Sequence, residues 1–117
     1  MRVLRGRAES IAADRAATRT LVADVRDDGE PAVRVWTPHR QVVFGRRDAR
    51  SDGYERAREA AAKRGFPPHE RRVGGRAVAY TGRTLAFARV EPLADMREGL
   101  TERYDAAVAD LQTALST

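Results

Sequence analysis

A chain of 117 residues is long enough for one small domain, and 42% apolar residues permit a hydrophobic core. The absence of cysteine excludes disulfide bonds and thiolate chemistry within this chain, and no apolar run approaches the roughly 20 residues that span a membrane. The net charge of +5 suggests an anionic partner. Because the amino terminus lacks the apolar run of a secretory signal, we expect a cytoplasmic protein.

Nucleic acid is the first anionic partner to consider for a basic chain. However, carboxylates are interspersed with the arginines through most of the sequence, and Lys63 is the single lysine. Only 6% of the residues are aromatic, whereas proteins that bind single strands use aromatic side chains to stack on bases. Nucleic acid is therefore an unfavoured partner. His39 and His69 are isolated histidines, so the sequence predicts no metal site.

The first part of the chain predicts strands at residues 2–7, 32–37 and 41–44, and a helix at residues 10–25. Ser10 is a good N-cap, and the helix carries apolar residues four positions apart as far as Val25. The helix ends at Asp-Asp-Gly-Glu-Pro, where a flexible glycine is combined with a proline. Only Pro38-His39-Arg40 separates the last two strands, so we expect them to pair as a hairpin.

The second part predicts a helix at residues 52–64, strands at 71–73, 77–80 and 85–90, and a last helix from about Asp95 to the end. Ser51 is the expected cap of the first of these helices, and Gly65 its stop. The last helix has apolar residues at three-four spacing: Met96, Leu100, Tyr104, Val108, Leu111 and Leu115. The order predicts an α+β fold with a mixed, mainly antiparallel sheet and helices packed on it. Since the chain ends inside a helical pattern, we expect an incomplete domain.

One stretch, from Glu70 to Phe87, combines concentrated positive charge with unusual backbone freedom. Gly74-Gly75 lets the main chain approach a ligand closely, and the arginines beside it offer forked donors to a carboxylate or phosphate. One interpretation is an anion-binding turn. The other is a tight turn between two strands with solvated arginines.

Three stretches resemble, in order and spacing, the amino-terminal half of lipoate-protein ligases. They are Val-Arg-Val-Trp-Thr-Pro at 33–38, Gln-Val-Val-Phe-Gly-Arg at 41–46, and Arg-Arg-Val-Gly-Gly-Arg-Ala-Val-Ala-Tyr-Thr-Gly at 71–82. That family has a strand ending in tryptophan, a strand similar to Val-Val-Ile-Gly-Arg, a helix, and an Arg-Arg-x-Ser-Gly-Gly-Gly-Ala-Val-x-His-Asp-x-Gly segment. The predicted helices also fall where the family places helices, so the resemblance covers nearly all of the chain.

The resemblance implies the catalytic-domain fold of biotin and lipoate ligases, which is similar to class II aminoacyl-tRNA synthetases, with residues 1–117 as its amino-terminal part. It implies that ATP activates lipoate or octanoate as an acyl-adenylate, with Mg²⁺ as a further candidate. A lysine of an acceptor then takes the acyl group. The implied acceptors are lipoyl domains of 2-oxoacid dehydrogenases and glycine-cleavage H-type proteins.

The resemblance also implies a set of substrate- and adenylate-binding residues: Trp36, Gly45, Arg46, Arg71, Gly74, Gly75, Arg76, Ala77, Val78 and Tyr80. According to this resemblance, Arg71 and the backbone N–H donors of the glycine turn face the adenylate phosphate. Trp36 forms part of the acyl tunnel wall, and Gly45-Arg46 lies near the tunnel mouth.

The chain departs from the family pattern at several positions: Glu70, Val73, Arg76, Tyr80 and Thr84 replace the family's arginine, serine, third glycine, histidine and asparagine. Octanoyltransferases have Arg-Gly-Gly-x-Val-Thr-Tyr-His-Gly, which the Gly-Gly-Arg and tyrosine here resemble in part, and biotin ligases match less well. The family's lysine that holds the activated acyl group has no counterpart here, because Lys63 is expected on the exposed side of a helix. We therefore predict no catalytic residue in this chain.

Several hypotheses follow. The first is the amino-terminal part of a lipoate or octanoate ligase that needs a missing half or a second ligase subunit. The alternative is a non-catalytic ligand- or protein-binding module of the same fold. An octanoyltransferase and a basic nucleic-acid-binding domain are less favoured. Whether the chain catalyses the reaction by itself is left open by the sequence.

Overall fold

The computed structural model describes residues 1–92 and 99–116, and this part of the chain contains six strands, three α-helices and one short 3-10 turn. The strands are β1 (Arg2–Arg5), β2 (Ala32–Trp36), β3 (Gln41–Phe44), β4 (Pro68–Glu70), β5 (Val78–Tyr80) and β6 (Ala86–Val90). The helices are α1 (Ile11–Asp28), α2 (Tyr54–Lys63) and α3 (Leu100–Leu115), and the 3-10 turn is Asp48–Arg50.

Within the described residues, the strands form two small mixed sheets. In the first, β2 lies between β1, which is parallel to it, and β6, which is antiparallel. In the second, β3 lies between the parallel β4 and the antiparallel β5. The expected α+β architecture with a mixed sheet and packed helices is thus confirmed, with its strands divided between two sheets.

The predicted hairpin of residues 32–37 and 41–44 is wrong, because β2 and β3 belong to different sheets. Both edges of β2 are occupied by strands from distant parts of the chain, with Arg2 opposite Ala32 and Trp36 opposite Ala86. Both edges of β3 are likewise occupied. The short link 37–40 therefore passes from one sheet to the other.

The predicted strand at residues 71–73 is also displaced, since β4 ends at Glu70. The amide of Arg71 still donates to the carbonyl of Phe44 (2.9 Å), but the chain then bends, and the carbonyl of Val73 accepts from the amide of Arg46 (3.1 Å). The bend brings the glycine turn against the end of β3.

Helix α1 packs on the first sheet and forms the centre of the core. The hydroxyl of Ser10 accepts from the amide of Ala13 (3.1 Å), which confirms the predicted N-cap. Gly29 ends the helix with φ +70° and donates to the carbonyl of Val25 (2.8 Å). Leu21 and Val25 are buried together with Ala32, and Val90 packs against them.

Helix α2 begins differently from the prediction. Its N-cap residue is Gly53, whereas Ser51 ends the 3-10 turn and its hydroxyl donates to the carbonyl of Arg47 (3.3 Å). Gly65 follows the helix with φ +81°, and the amide of Phe66 donates back to the carbonyl of Ala61 (2.9 Å). The predicted glycine stop is therefore confirmed.

Helix α3 has much of its apolar stripe exposed to solvent. Leu100, Tyr104 and Leu115 are exposed, whereas Val108 and Leu111 are partly buried. Arg89 of β6 pairs with Asp110, which ties the helix to the first sheet. The predicted start of this helix near Asp95, with Met96, lies outside the described residues.

Candidate functional site

An open cleft of about 850 Å³ lies between helix α1 and the two sheets. Its apolar wall includes Trp36 at the end of β2, Val43 of β3 and Tyr80 at the end of β5. Ala86 stands opposite Trp36 in the first sheet and also lines the cleft. The cleft exists because β2 and β3 diverge into separate sheets, which leaves a gap at the link between them.

The charged end of the cleft is formed by Glu70, Arg71 and Arg72. The same three residues line a second cavity of about 480 Å³, which Arg46 also lines. An elongated ligand could therefore extend from the apolar wall past two arginines into the second cavity. Such an arrangement suits a molecule with an apolar chain at one end and an anionic group further along.

The glycine turn lies directly beside this charged end. Gly75 has φ +97°, a conformation that glycine adopts readily. The guanidinium of Arg71 folds back on the turn, where Nε donates to the carbonyl of Gly74 (3.0 Å) and Nη2 donates to the carbonyl of Arg76. Arg71 thus orders the turn, and these hydrogen bonds keep its guanidinium next to the cleft.

The structure brings together most of the residues that the sequence predicts for the site. Trp36, Arg71 and Tyr80 line the cleft, and Arg46 lines the second cavity. Gly45 contacts the turn that contains Gly74, Gly75 and Arg76, since a Cβ atom added to Gly45 would lie 2.0 Å from the carbonyl oxygen of Gly75. By contrast, Ala77 and Val78 are exposed and line neither cavity.

A known protein family matches most of this chain. The model of the family described as "Lipoyl protein ligase A/B catalytic domain" matches residues 10–117. The chain belongs to this family. The resemblance drawn from the sequence motifs is thereby confirmed.

A crystal structure of lipoate-protein ligase A bound with ATP is similar to this ligase-family chain, with a TM-score of 0.67 and 20% sequence identity. The match covers 89% of this chain and 41% of the ligase chain, so this chain spans less than half of that protein's length. At this identity the similarity shows the fold. No curated protein matches the sequence.

The sequence interpretation missed the contribution of helix α1 to the site of this ligase-family domain. Five residues of α1 line the cleft: Ile11, Asp14, Arg15, Thr18 and Arg19. Their spacing of three and four positions places them on one side of the helix. This spacing was visible in the sequence, but the set mixes charged, polar and apolar residues, so a search for an apolar stripe passes over it.

A buried ion pair lies beside Trp36 of the apolar wall. Arg34 of β2 is only 3% exposed, and its Nη2 donates to Oδ1 of Asp14. Its Nη1 donates to the backbone oxygen of Asp14 (3.1 Å) and to the hydroxyl of Thr18 (3.2 Å). The guanidinium carbon lies 4.2 Å from the centroid of the Trp36 ring system. Four residues from helix and strand thus form one connected group at the cleft.

A second polar group supports the charged end. The hydroxyl of Tyr54 donates to Oε2 of Glu70 (3.3 Å), and Arg15 Nη2 donates to the backbone oxygen of Glu70 (3.4 Å). Arg58 donates to the Tyr54 hydroxyl, and this hydrogen bond raises the pKa of Arg58. Partial burial lowers the pKa of His69 below 6.5, and the charges of Arg15 and Arg58 lower it further. Both effects favour the neutral form of the His69 imidazole.

The part of the chain that the structure describes contains no cluster of three or more histidine, cysteine or acidic side chains able to hold a metal ion. In the same residues, no helix is long and apolar enough to cross a membrane.

Proposed function

We propose that this chain forms the acyl-adenylate-binding part of a lipoate- or octanoate-protein ligase. One observation carries the proposal: an apolar wall containing Trp36 and Tyr80 leads to Arg71 and Arg72 within a single cleft. A fatty acyl chain fits the apolar wall, and the phosphate of an adenylate fits the arginines. Family membership supports this choice of ligand over other amphipathic molecules.

In the proposed first step, a carboxylate oxygen of the acid attacks the α-phosphorus of ATP. Pyrophosphate leaves, and the product is a mixed anhydride of the acid and adenosine monophosphate. Negative charge increases at the phosphoryl oxygens as the new bond forms, so Arg71 and Arg72 would stabilise it electrostatically. The glycine turn lies beside the charged end of the cleft, where it would hold the acid and ATP in the orientation that the attack requires. The described residues offer no acidic cluster for Mg²⁺, and we assign no step to a metal.

In the proposed second step, the amine of an acceptor lysine attacks the acyl carbon and adenosine monophosphate leaves. Among the residues that the structure describes, no lysine lines either cavity, and Lys63 is exposed on α2. The ligase's own lysine, which holds the activated acyl group, would therefore come from a second ligase subunit or from a further part of the ligase. The proposed acceptors are a lipoyl domain of a 2-oxoacid dehydrogenase and a glycine-cleavage H-type protein, in the cytoplasm.

The alternative is a non-catalytic module that binds the same ligand or a protein. Two observations favour it: no lysine lies at the cleft within the described residues, and two of the donor groups of Arg71 are engaged by the turn's own carbonyls. Octanoyl transfer and nucleic-acid binding have no comparable support from the geometry.

Calorimetric titration tests the proposal. The purified chain is titrated with non-hydrolysable lipoyl- and octanoyl-adenylate analogues and with ATP. We expect a dissociation constant in the micromolar range or below for at least one acyl-adenylate, and weaker binding after Arg71→Ala. Arg83→Ala is the matched control, because Arg83 is exposed and lines neither cavity. A folded chain that binds none of these ligands would refute the adenylate site.

Turnover separates the two candidate functions. If the chain binds acyl-adenylate and gains ligase activity when a lysine-containing partner chain is added, the ligase proposal stands. If binding persists but no partner restores activity, the binding module is the better description.

A further inference from the structure

Strand β2 carries a charged residue at a position that normally takes an apolar one. Alternate residues of a strand point to the same face, so Ala32, Arg34 and Trp36 share a face of the first sheet. Ala32 is fully buried in the core and Arg34 is 3% exposed. Arginine is almost never buried to this extent unless it is paired. The position of Arg34 therefore requires a specific explanation.

The carboxylate that pairs with Arg34 has a second hydrogen-bond donor. The Asp14 side chain is 10% exposed, and its Oδ1 accepts both from Arg34 and from the amide of Ala8 (2.7 Å). The carbonyl of Ala8 in turn contacts Nε2 of His39 (2.7 Å). With Nη1 bound to the Asp14 carbonyl and to Thr18, the guanidinium plane has one orientation.

Stability alone does not account for this pair. Removing two charges from water costs free energy that their attraction repays only in part, and apolar residues of similar volume often stabilise a core equally well. The specific contact that the pair adds is with Trp36, whose ring system lies 4.2 Å from the Arg34 guanidinium carbon. Arginine stacks on aromatic faces through its planar group, which favours one orientation of the ring.

The geometry assigns to Arg34, held by Asp14, the role of a positioning residue that fixes the indole of Trp36 as the acyl-facing wall of the cleft. Trp36 lines the cleft and Arg34 does not, so Arg34 acts on the cleft through its contact with the Trp36 ring. A fixed ring keeps the cleft in the shape that receives an acyl chain, whereas a ring that turns would fill part of that space. The acyl part of this inference rests on the proposed function, and the fixing of the ring does not.

Trp36 is the only tryptophan of the chain, so its fluorescence reports directly on the ring. Two variants separate positioning from folding. Arg34→Lys keeps a positive charge opposite Asp14 but removes the planar group over the indole. The double variant Asp14→Leu with Arg34→Met replaces the ion pair by apolar side chains and leaves no unpaired buried charge. Because Asp14 itself lines the cleft, this variant is used only to compare the mobility of the indole. The thermal unfolding midpoint of each variant is measured first, to establish that it is folded.

We expect time-resolved fluorescence anisotropy to show a restricted indole in the wild type and a more mobile indole in both variants. We also expect the dissociation constant of the octanoyl-adenylate analogue to rise about tenfold in Arg34→Lys, while that of adenosine monophosphate changes less than about twofold. If Arg34 only stabilised the fold, its replacement would change the dissociation constants of both ligands together or change neither. An indole as restricted in the folded variants as in the wild type would overturn the inference.

Failure of the proposed function gives a different result. If the wild type binds neither analogue, the adenylate site is refuted, and the anisotropy comparison still decides whether Arg34 fixes Trp36. If Arg34→Lys binds the analogue as well as the wild type does although its indole is mobile, the ring is held by Arg34 but its orientation does not serve acyl binding. The inference is then overturned in that part.

Discussion

The carbonyl oxygen of Gly75 occupies the space that a side chain on Gly45 would need. A Cβ atom built on Gly45 would lie 2.0 Å from that oxygen, far inside the distance of normal contacts. The two residues are distant in sequence, and the neighbouring hydrogen bond from the Arg46 amide to the Val73 carbonyl (3.1 Å) joins the same two segments. The end of β3 and the glycine turn thus pack backbone against backbone, which places the turn at the charged end of the cleft.

Gly45→Ala should destabilise the protein because the added methyl group must displace the backbone of the turn. Overpacking of this kind typically lowers the free energy of unfolding by about 1–3 kcal/mol. Urea unfolding followed by circular dichroism measures the change. Gly74→Ala is the matched control, since a Cβ atom there meets nothing within 4 Å and its φ is not positive. Equal effects of the two substitutions would contradict the close approach of Gly45 to the turn.

Arg71→Ala should weaken binding of an acyl-adenylate analogue by about 1.5–3 kcal/mol, the range for a charge-assisted hydrogen bond. The physical reason is that Arg71 lines the cleft and supplies a cation beside the glycine turn. Calorimetry of the variant and of Arg83→Ala, under identical salt conditions, gives the comparison. If both variants bind as the wild type does, Arg71 does not contact the phosphate.

Stability should fall as the pH falls through the range in which His69 titrates. Partial burial lowers its pKa in the folded protein, with further contributions from Arg15 and Arg58, while the unfolded chain gains the proton near pH 6.5. Between the folded pKa and 6.5 the unfolded state binds more protons, so the free energy of unfolding increases with pH in that window. The stability that His69 contributes is fully present above pH 6.5 and is lost once the pH falls below the pKa of His69 in the folded protein.

Denaturant unfolding at a series of pH values between about 5.5 and 7.5 checks this prediction, in the range above the ordinary carboxylate pKa values. His69→Gln should flatten the dependence, because the titrating group is gone. Arg15→Gln removes one of the two charges and should reduce the slope in part. A wild-type dependence that persists in His69→Gln would assign it to another group.

Ser10→Ala should lower the free energy of unfolding by about 1 kcal/mol, the usual cost of losing an N-cap hydrogen bond. The Ser10 hydroxyl accepts from the amide of Ala13, which no other residue of the helix can satisfy. Ser51→Ala is the comparison, because Ser51 does not cap α2 and should change stability by less than about 0.5 kcal/mol. Chemical denaturation of the two variants distinguishes these outcomes. A larger effect at Ser51 would favour the capping role that the sequence suggested.

Much of the secondary structure could be predicted from the sequence because its signals are local. The cap at Ser10, the stops at Gly29 and Gly65, and the three helices follow from residues within a few positions of one another. The strand pairing could not be read in the same way. Short apolar strands pair with whichever strands the tertiary fold brings beside them, so β2 joined β1 and β6 rather than its neighbour in the chain.

The candidate site, too, could be predicted from the sequence only in part. The motifs that resemble lipoate-protein ligases identified the glycine turn, Arg71 and Trp36, because these motifs are continuous in the sequence. The side of α1 that lines the cleft was missed, and so was the burial of Arg34, which strand alternation alone left undecided.

What the sequence by itself determined is therefore the family, the helix ends and the presence of an arginine-rich glycine turn. Only the tertiary structure decided that the strands divide into two sheets, that a cleft opens where they diverge, and that Asp14 pairs with Arg34 beside Trp36. Local hydrogen bonds and backbone conformation depend on neighbours in the chain. Burial of a charge depends on a partner 20 positions away, whose approach is favourable only once the surrounding elements have packed.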